Sequence, residues 1–134
     1  MTQFLVIANE TAASKTLLEA LRNRVSPGAD TVTVIAPVNE PRQGLVVYDD
    51  TRRASAGRRL DKTLKLLREG GISALGFVVE TGPVQAVKDV LQMLEPPPDE
   101  IVVSTHPEAR SGWMRRNVVE DIERAAAPRP VQHV

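Results

Sequence analysis

The chain has no cysteine, which excludes a disulfide framework, a thiolate zinc site and cysteine catalysis. It has only two histidines, so a transition-metal site is not expected and none is assigned. Aromatic residues make up 3% of the chain, too few for a platform on which nucleic-acid bases stack. Neither sign of charge dominates: 17 basic residues cancel 17 acidic ones, and no net field draws nucleic acid or an anionic membrane. No apolar run approaches membrane-spanning length. The opening MTQFLVIANE enters a strand directly, without a basic segment and a long apolar core. A cytoplasmic protein without nucleic-acid or membrane partners is the expectation.

What remains is an ordinary globular balance: 134 residues, 42% apolar and 25% charged, suited to a single domain over residues 1–134. Short apolar runs alternate with segments of helical period. FLVIA (Phe4 to Ala8) is continuously apolar, as a strand covered on both faces should be. Leu17, Leu18, Leu21 and Val25 then form one helical stripe, which Thr11 or Ser14 could cap and which Ser26-Pro27-Gly28 ends. TVTVIA (Thr31 to Ala36) is a second strand, rich in β-branched residues. Pro37 to Thr51 reads as a long loop, within which LVVY is either a short extra strand or a docking segment.

From about Thr51 a helix carries Ala56, Leu60, Leu64 and Leu67 at steps of three and four, stopped by Gly70-Gly71. Ile72 to Glu80 is the third strand, and Thr81-Gly82 turns into PVQAVKDVLQML, with Val84, Val87, Leu91 and Leu94 on one face. IVVS is the fourth strand. A helix from about Ser111 or Gly112 to Ala126 carries Met114, Val118 and Ile122, Pro128 and Pro130 end it, and VQHV is the fifth strand. Strict alternation of strand and helix predicts an α/β fold: an open five-stranded parallel sheet, doubly wound by four helices. If the two halves wind outward in opposite senses, the strand order is 3-2-1-4-5.

Ligands of such sheets bind beyond the carboxyl ends of the strands, where the order reverses. Between strands one and four, that point sets Ala8-Asn9-Glu10 beside Ser104-Thr105-His106. The stretch EIVVSTHPEARSGWMRR is therefore a strand, a polar loop and a helix start at the place of a phosphate cradle, nearly without glycine. Ser104 and Thr105 either bind a phosphate or ribose or satisfy backbone groups at a strand end. Arg110, Arg115 and Arg116 either replace missing amides by bidentate contacts or form a solvated helix face. Trp113 either packs the last helix on the sheet or stacks on a base. Asp49-Asp50, followed by Arg52-Arg53, reads as a solvated charge cluster. His106 would titrate near neutrality, but no serine–acid constellation or nucleophile–base pair accompanies it. No catalytic residue is assigned.

These segments resemble, in order and spacing, the universal stress protein family of the adenine-nucleotide-binding α/β group. NETAAS resembles its D-G-S-x-x-S, the GGIS-strand-TGP-helix segment its G-D-P, and APRPVQHV its A-P-C-P-V, with DEIVVS before the last loop. The resemblance implies a cofactor, ATP or another adenine nucleotide, in a crevice formed by Ala8, Asn9, Ala36, Ser104, Thr105, Ser111 and Gly112. It also implies a homodimer through the terminal strand Val131 to Val134. ATP-binding members carry G-x2-G-x9-G-[S/T], whose positions fall here on Ser104, Pro107, Asn117 and Val118. Pro107 has no amide to offer and a fixed φ, Val118 has no hydroxyl, and Glu108 adds negative charge where a triphosphate would lie. Asn9 stands where the family has an acidic residue near the adenosine. Ordinary ATP binding is therefore expected to be lost or altered. Two functions follow: a dimeric regulatory or interaction module with possible protein partners, or a nucleotide-binding stress-response protein with a remodelled loop around Gly112.

Overall fold

The computed structural model describes residues 2–8, 15–26, 30–37, 49–94, 97–104 and 118–133. Among them the order is β1 (Gln3–Ala8), α1 (Lys15–Arg22), β2 (Thr31–Pro37), α2 (Asp49–Glu69), β3 (Ala74–Val79), α3 (Pro83–Met93), β4 (Glu100–Ser104), α4 (Val118–Ala126) and β5 (Val131–His133). The five strands form one sheet in the order β3-β2-β1-β4-β5, with every pair parallel. The expected class, strand order and four helices are all present.

Side chains of the strands alternate between two apolar layers, each sealed by a pair of helices. Phe4, Val6 and Ala8 of β1, with Val32, Val34 and Ala36 of β2, pack under Leu17 and Leu21 of α1 and Ala56, Leu60, Leu64 and Leu67 of α2. Leu5, Ile7, Ile35, Ile101 and Val103 face the other way, under Ala86, Val87 and Val90 of α3 and Ile122 and Ala126 of α4. Burial on both sides is why β1 reads as an unbroken apolar run. The inward stripe of α3 differs from the expected one: Ala86, Val87 and Val90 are fully buried, while Val84, Leu91 and Leu94 flank them half-buried.

Two glycine positions shape α2 and β3. Gly71 has φ 87°, and the helix closes with Gly71 N–H donating to Arg68 O (3.0 Å) and Ile72 N–H to Leu67 O (2.9 Å). Ile72 is spent on this closure, packed in the same layer as Leu67, so β3 begins at Ala74 rather than at Ile72. At Gly76 a Cβ would lie 2.6 Å from the Leu60 side chain and 2.5 Å from Val34 O, so only glycine lets α2 lie this close on β3. Helix α2 starts at Asp49, two residues before Thr51. The proposed caps Thr11 and Ser14, the LVVY segment, and Met114 and Trp113 lie outside the described residues.

The amino ends of the strands are stitched together by hydrogen bonds. Asp30 accepts from Thr2 N–H (2.7 Å) and Ser26 N–H (2.8 Å), and Thr31 N–H donates to Thr2 O (3.1 Å). Asp99 accepts from Gln3 N–H (2.9 Å) and returns its own N–H to Gln3 O (2.8 Å). Arg24 at the end of α1 reaches Glu100 (3.3 Å) and Gln132, tying α1 to β4 and β5. No described helix is long and apolar enough to cross a membrane.

Candidate functional site

The strand order reverses between β1 and β4, and there the register sets Ala8 directly opposite Ser104. Both are buried at the carboxyl ends of the two central strands, and Ser104 is 1% exposed. Ala36, the last residue but one of β2, lies one strand away and is also fully buried. Three of the seven expected crevice residues are thus brought to one end of the sheet. Asn9, Thr105, Ser111 and Gly112 lie outside the described residues, as do His106, Pro107, Glu108 and the arginines 110, 115 and 116.

The layer of the sheet that faces α1 and α2 changes character along its length. Toward the amino end it is filled by Phe4, Leu21, Leu67 and Ile72; toward the carboxyl end it holds Ala8, Ala36 and, from α2, Ala56. Small side chains at that end permit close approach over the strand termini. Thr63, one helical turn beyond Arg59 in α2, satisfies its buried hydroxyl by donating to Arg59 O (2.8 Å), so it is a structural polar group.

Two polar groups of this end escape a reading of the sequence. Arg59 of α2 donates from Nη2 to Pro37 O (2.8 Å), fixing a guanidinium at the carboxyl end of β2. Its place three residues after Ala56 and one before Leu60, on the rim of the apolar stripe, is the one sequence signal for it. Thr81, just beyond β3, has a buried hydroxyl oxygen without a hydrogen-bond partner. Thr81 follows the outer strand, two strand spacings or about 10 Å from β1. It is therefore not part of the floor formed by Ala8 and Ser104.

At the amino end the Ser26 and then the Thr2 amides hold the Asp30 carboxyl below its ordinary value. Among the described residues no three histidine, aspartate or glutamate side chains gather as a metal site. The described floor supplies a serine hydroxyl, tightly packed alanines and the arginine of α2. Such a set can hydrogen-bond a sugar or an anion; it contains no nucleophile with an adjacent base.

No protein-family model and no characterised protein matches the chain in sequence. Solved structures do. A universal stress protein family protein from Arabidopsis thaliana, crystallised with AMP bound, superposes with a TM-score of 0.63 at 13% identity, covering 100% of this chain and 91% of that one. A universal stress protein family protein from Burkholderia pseudomallei gives 0.61 at 19% identity, over 99% and 95% of the two chains. The universal stress protein from Archaeoglobus fulgidus in complex with dAMP gives 0.62 at 16% identity, over 99% and 97%. At such identities the likeness is one of fold, and it runs the length of the chain. The fold is that of the universal stress proteins.

Proposed function

We propose that the chain is a regulatory or interaction module of universal-stress-protein type in which the ordinary ATP cradle is lost or altered. The observation that carries this reading is the contrast at the β1–β4 switch point. Ala8 stands opposite Ser104 at the carboxyl ends of β1 and β4, while the positions that would cradle a triphosphate are Ser104, Pro107, Asn117 and Val118. Proline cannot donate an amide and valine cannot donate a hydroxyl, whatever the path of the loop. A homodimer through Val131 to Val134 goes with this reading: β5 is an edge strand, and edges that are not paired need protection.

A second reading keeps a nucleotide. Two structures of the same fold hold AMP and dAMP, ligands with one phosphate where ATP has three. A monophosphate needs fewer amides, and Ser104 with the loop around Gly112 would suffice for one. The two readings separate in one experiment. Purified protein is denatured, its supernatant is examined for absorbance at 260 nm, and the refolded or unliganded chain is titrated by calorimetry with AMP, ADP and ATP. Absence of heat with all three supports the interaction module. Micromolar binding of AMP that weakens tenfold or more in Ser104→Ala supports the second reading, and micromolar ATP binding overturns the first.

A further inference from the structure

Among the described residues the sheet has two edges, and the outer edge of β3 differs from that of β5. Strand β5 spans three residues, whereas β3 spans six, Ala74–Val79, with neither a charge nor a proline to discourage pairing. Its side chains alternate. Leu75, Phe77 and Val79 fall on the face of α3 and α4, while Ala74, Gly76 and Val78 fall on the face of α1 and α2. Leu75 is 74% exposed, and Met93 at the end of α3 is 60% exposed; they are the two large apolar side chains the described residues leave in water. Phe77 and Val79 are only half-buried. The outer edge is thus an apolar strand with an unfilled stripe along one face.

We propose that this edge pairs, antiparallel, with the same edge of a second copy of the chain. The strand is self-complementary in the sense a two-fold contact requires. With the axis through Phe77 and normal to the sheet, Phe77 meets the partner's Phe77, and Leu75 meets the partner's Val79, all on one face. Aromatic and aliphatic pairs placed opposite each other are the favourable cross-strand contacts. The other face matches in charge. Arg68 of α2 is held over the Ala74 end of the strand by donating to Ala74 O (3.0 Å). Glu80, exposed, continues β3 at its other end. Antiparallel pairing sets Ala74 opposite the partner's Glu80, bringing Arg68 and that carboxylate together twice about the axis. A parallel or shifted pairing gives up both matches, because a one-residue slip sends the stripe to the opposite face.

This contact is independent of the nucleotide question and distinct from pairing at Val131 to Val134. Two different two-fold contacts on opposite edges extend a sheet without closing it. The β3 contact therefore shows as heavier species appearing with concentration. The test uses the full chain and sedimentation velocity across a concentration series, with Leu75→Glu as the variant. Leu75 is exposed, so the substitution leaves the core intact, yet it sets a charge against the partner's Val79. The concentration at which the heavier species appears should rise roughly tenfold or more.

The absence of cysteine permits a second test of register. In Phe77→Cys the two thiols sit opposite, at a Cα separation of about 4.5–5.5 Å that a disulfide spans. Oxidation should therefore give a covalent dimer. In Leu75→Cys the two thiols lie about 13 Å apart along the strands and should stay unlinked. Assembly of Leu75→Glu identical to the parent overturns the proposal, as does a parent that is a single species at every concentration. Linking of Leu75→Cys rather than Phe77→Cys overturns the register.

Discussion

The two ends of the sheet are built on opposite plans. At the amino end, large side chains such as Phe4, Leu21, Leu67 and Ile72 fill the layer under α1 and α2. There the strand starts are tied to one another through Asp30 and Asp99. At the carboxyl end the same layer narrows to Ala8, Ala36 and Ala56, and Ser104 brings a hydroxyl into the core. A doubly wound sheet receives ligands only at its carboxyl end. The layer thus has one end filled by large side chains and one end of small, equally buried ones, and the second is the end at which a ligand of such a sheet would sit.

If that division holds, damage to the amino end should cost stability and leave ligand binding alone. Leu67→Ala is the severest such change, since Leu67 is fully buried and its carbonyl accepts the N–H that closes α2. The loss is about 2–5 kcal/mol, from the transfer term and the cavity together. Urea unfolding should show a lower midpoint at unchanged slope. A loss well under 1 kcal/mol would mean that this end is not the packed one.

The complementary change enlarges a small residue at the other end. Ala36→Leu inserts three carbons at a fully buried position beneath the terminus of β2, and overpacking of this kind costs about 1–3 kcal/mol. Its larger consequence is at the crevice: any ligand that approaches the end of β2 should be excluded. Calorimetry on whichever adenine nucleotide the parent binds, with midpoints read in parallel, separates the two effects. Unchanged affinity in a folded Ala36→Leu chain would remove Ala36 from the crevice.

Some of this division is legible in the sequence and some is not, for physical reasons. FLVIA and TVTVIA announce two buried strands because burial on both faces leaves no room for a polar phase. The Gly70-Gly71 stop is legible because a left-handed residue must follow a helix closed in this way. The buried face of α3 lies one step off the stripe that Val84, Val87, Leu91 and Leu94 suggest. Alanine adds little to an apolar stripe, yet Ala86 is fully buried in the layer between α3 and the sheet. Arg59 looks like its neighbour Arg58 until the fold brings Pro37 O within reach, across 22 residues. Asp99 is hidden in the same way, since the Gln3 amide it binds is 96 residues distant. Strand order alone brings Ala8, Ala36 and Ser104 to one end of the sheet; the residues of the next loop bear on triphosphate through their composition, not their course.

The mildest test of the comparison is Asp30→Asn. In the folded chain the Asp30 carboxylate accepts the Ser26 and Thr2 amides, which favours the ionised form and holds its pKa below the ordinary 3.8. A carboxyl with a depressed folded pKa contributes stability above its unfolded pKa and loses it as pH falls through the folded one. The parent should therefore exceed the variant at neutral pH, where asparagine can accept with its one oxygen and must place an NH2 against the other amide. Below the folded pKa the carboxyl is protonated in both states and this advantage is gone, so the two midpoints should converge as the pH falls through the folded pKa. Urea midpoints at neutral and acid pH measure the crossing directly. A constant difference across that range would mean that the two hydrogen bonds do not distinguish carboxylate from acid. Nucleotide affinity at neutral pH should be the same in both chains, because Asp30 lies at the opposite end of β2 from Ala36.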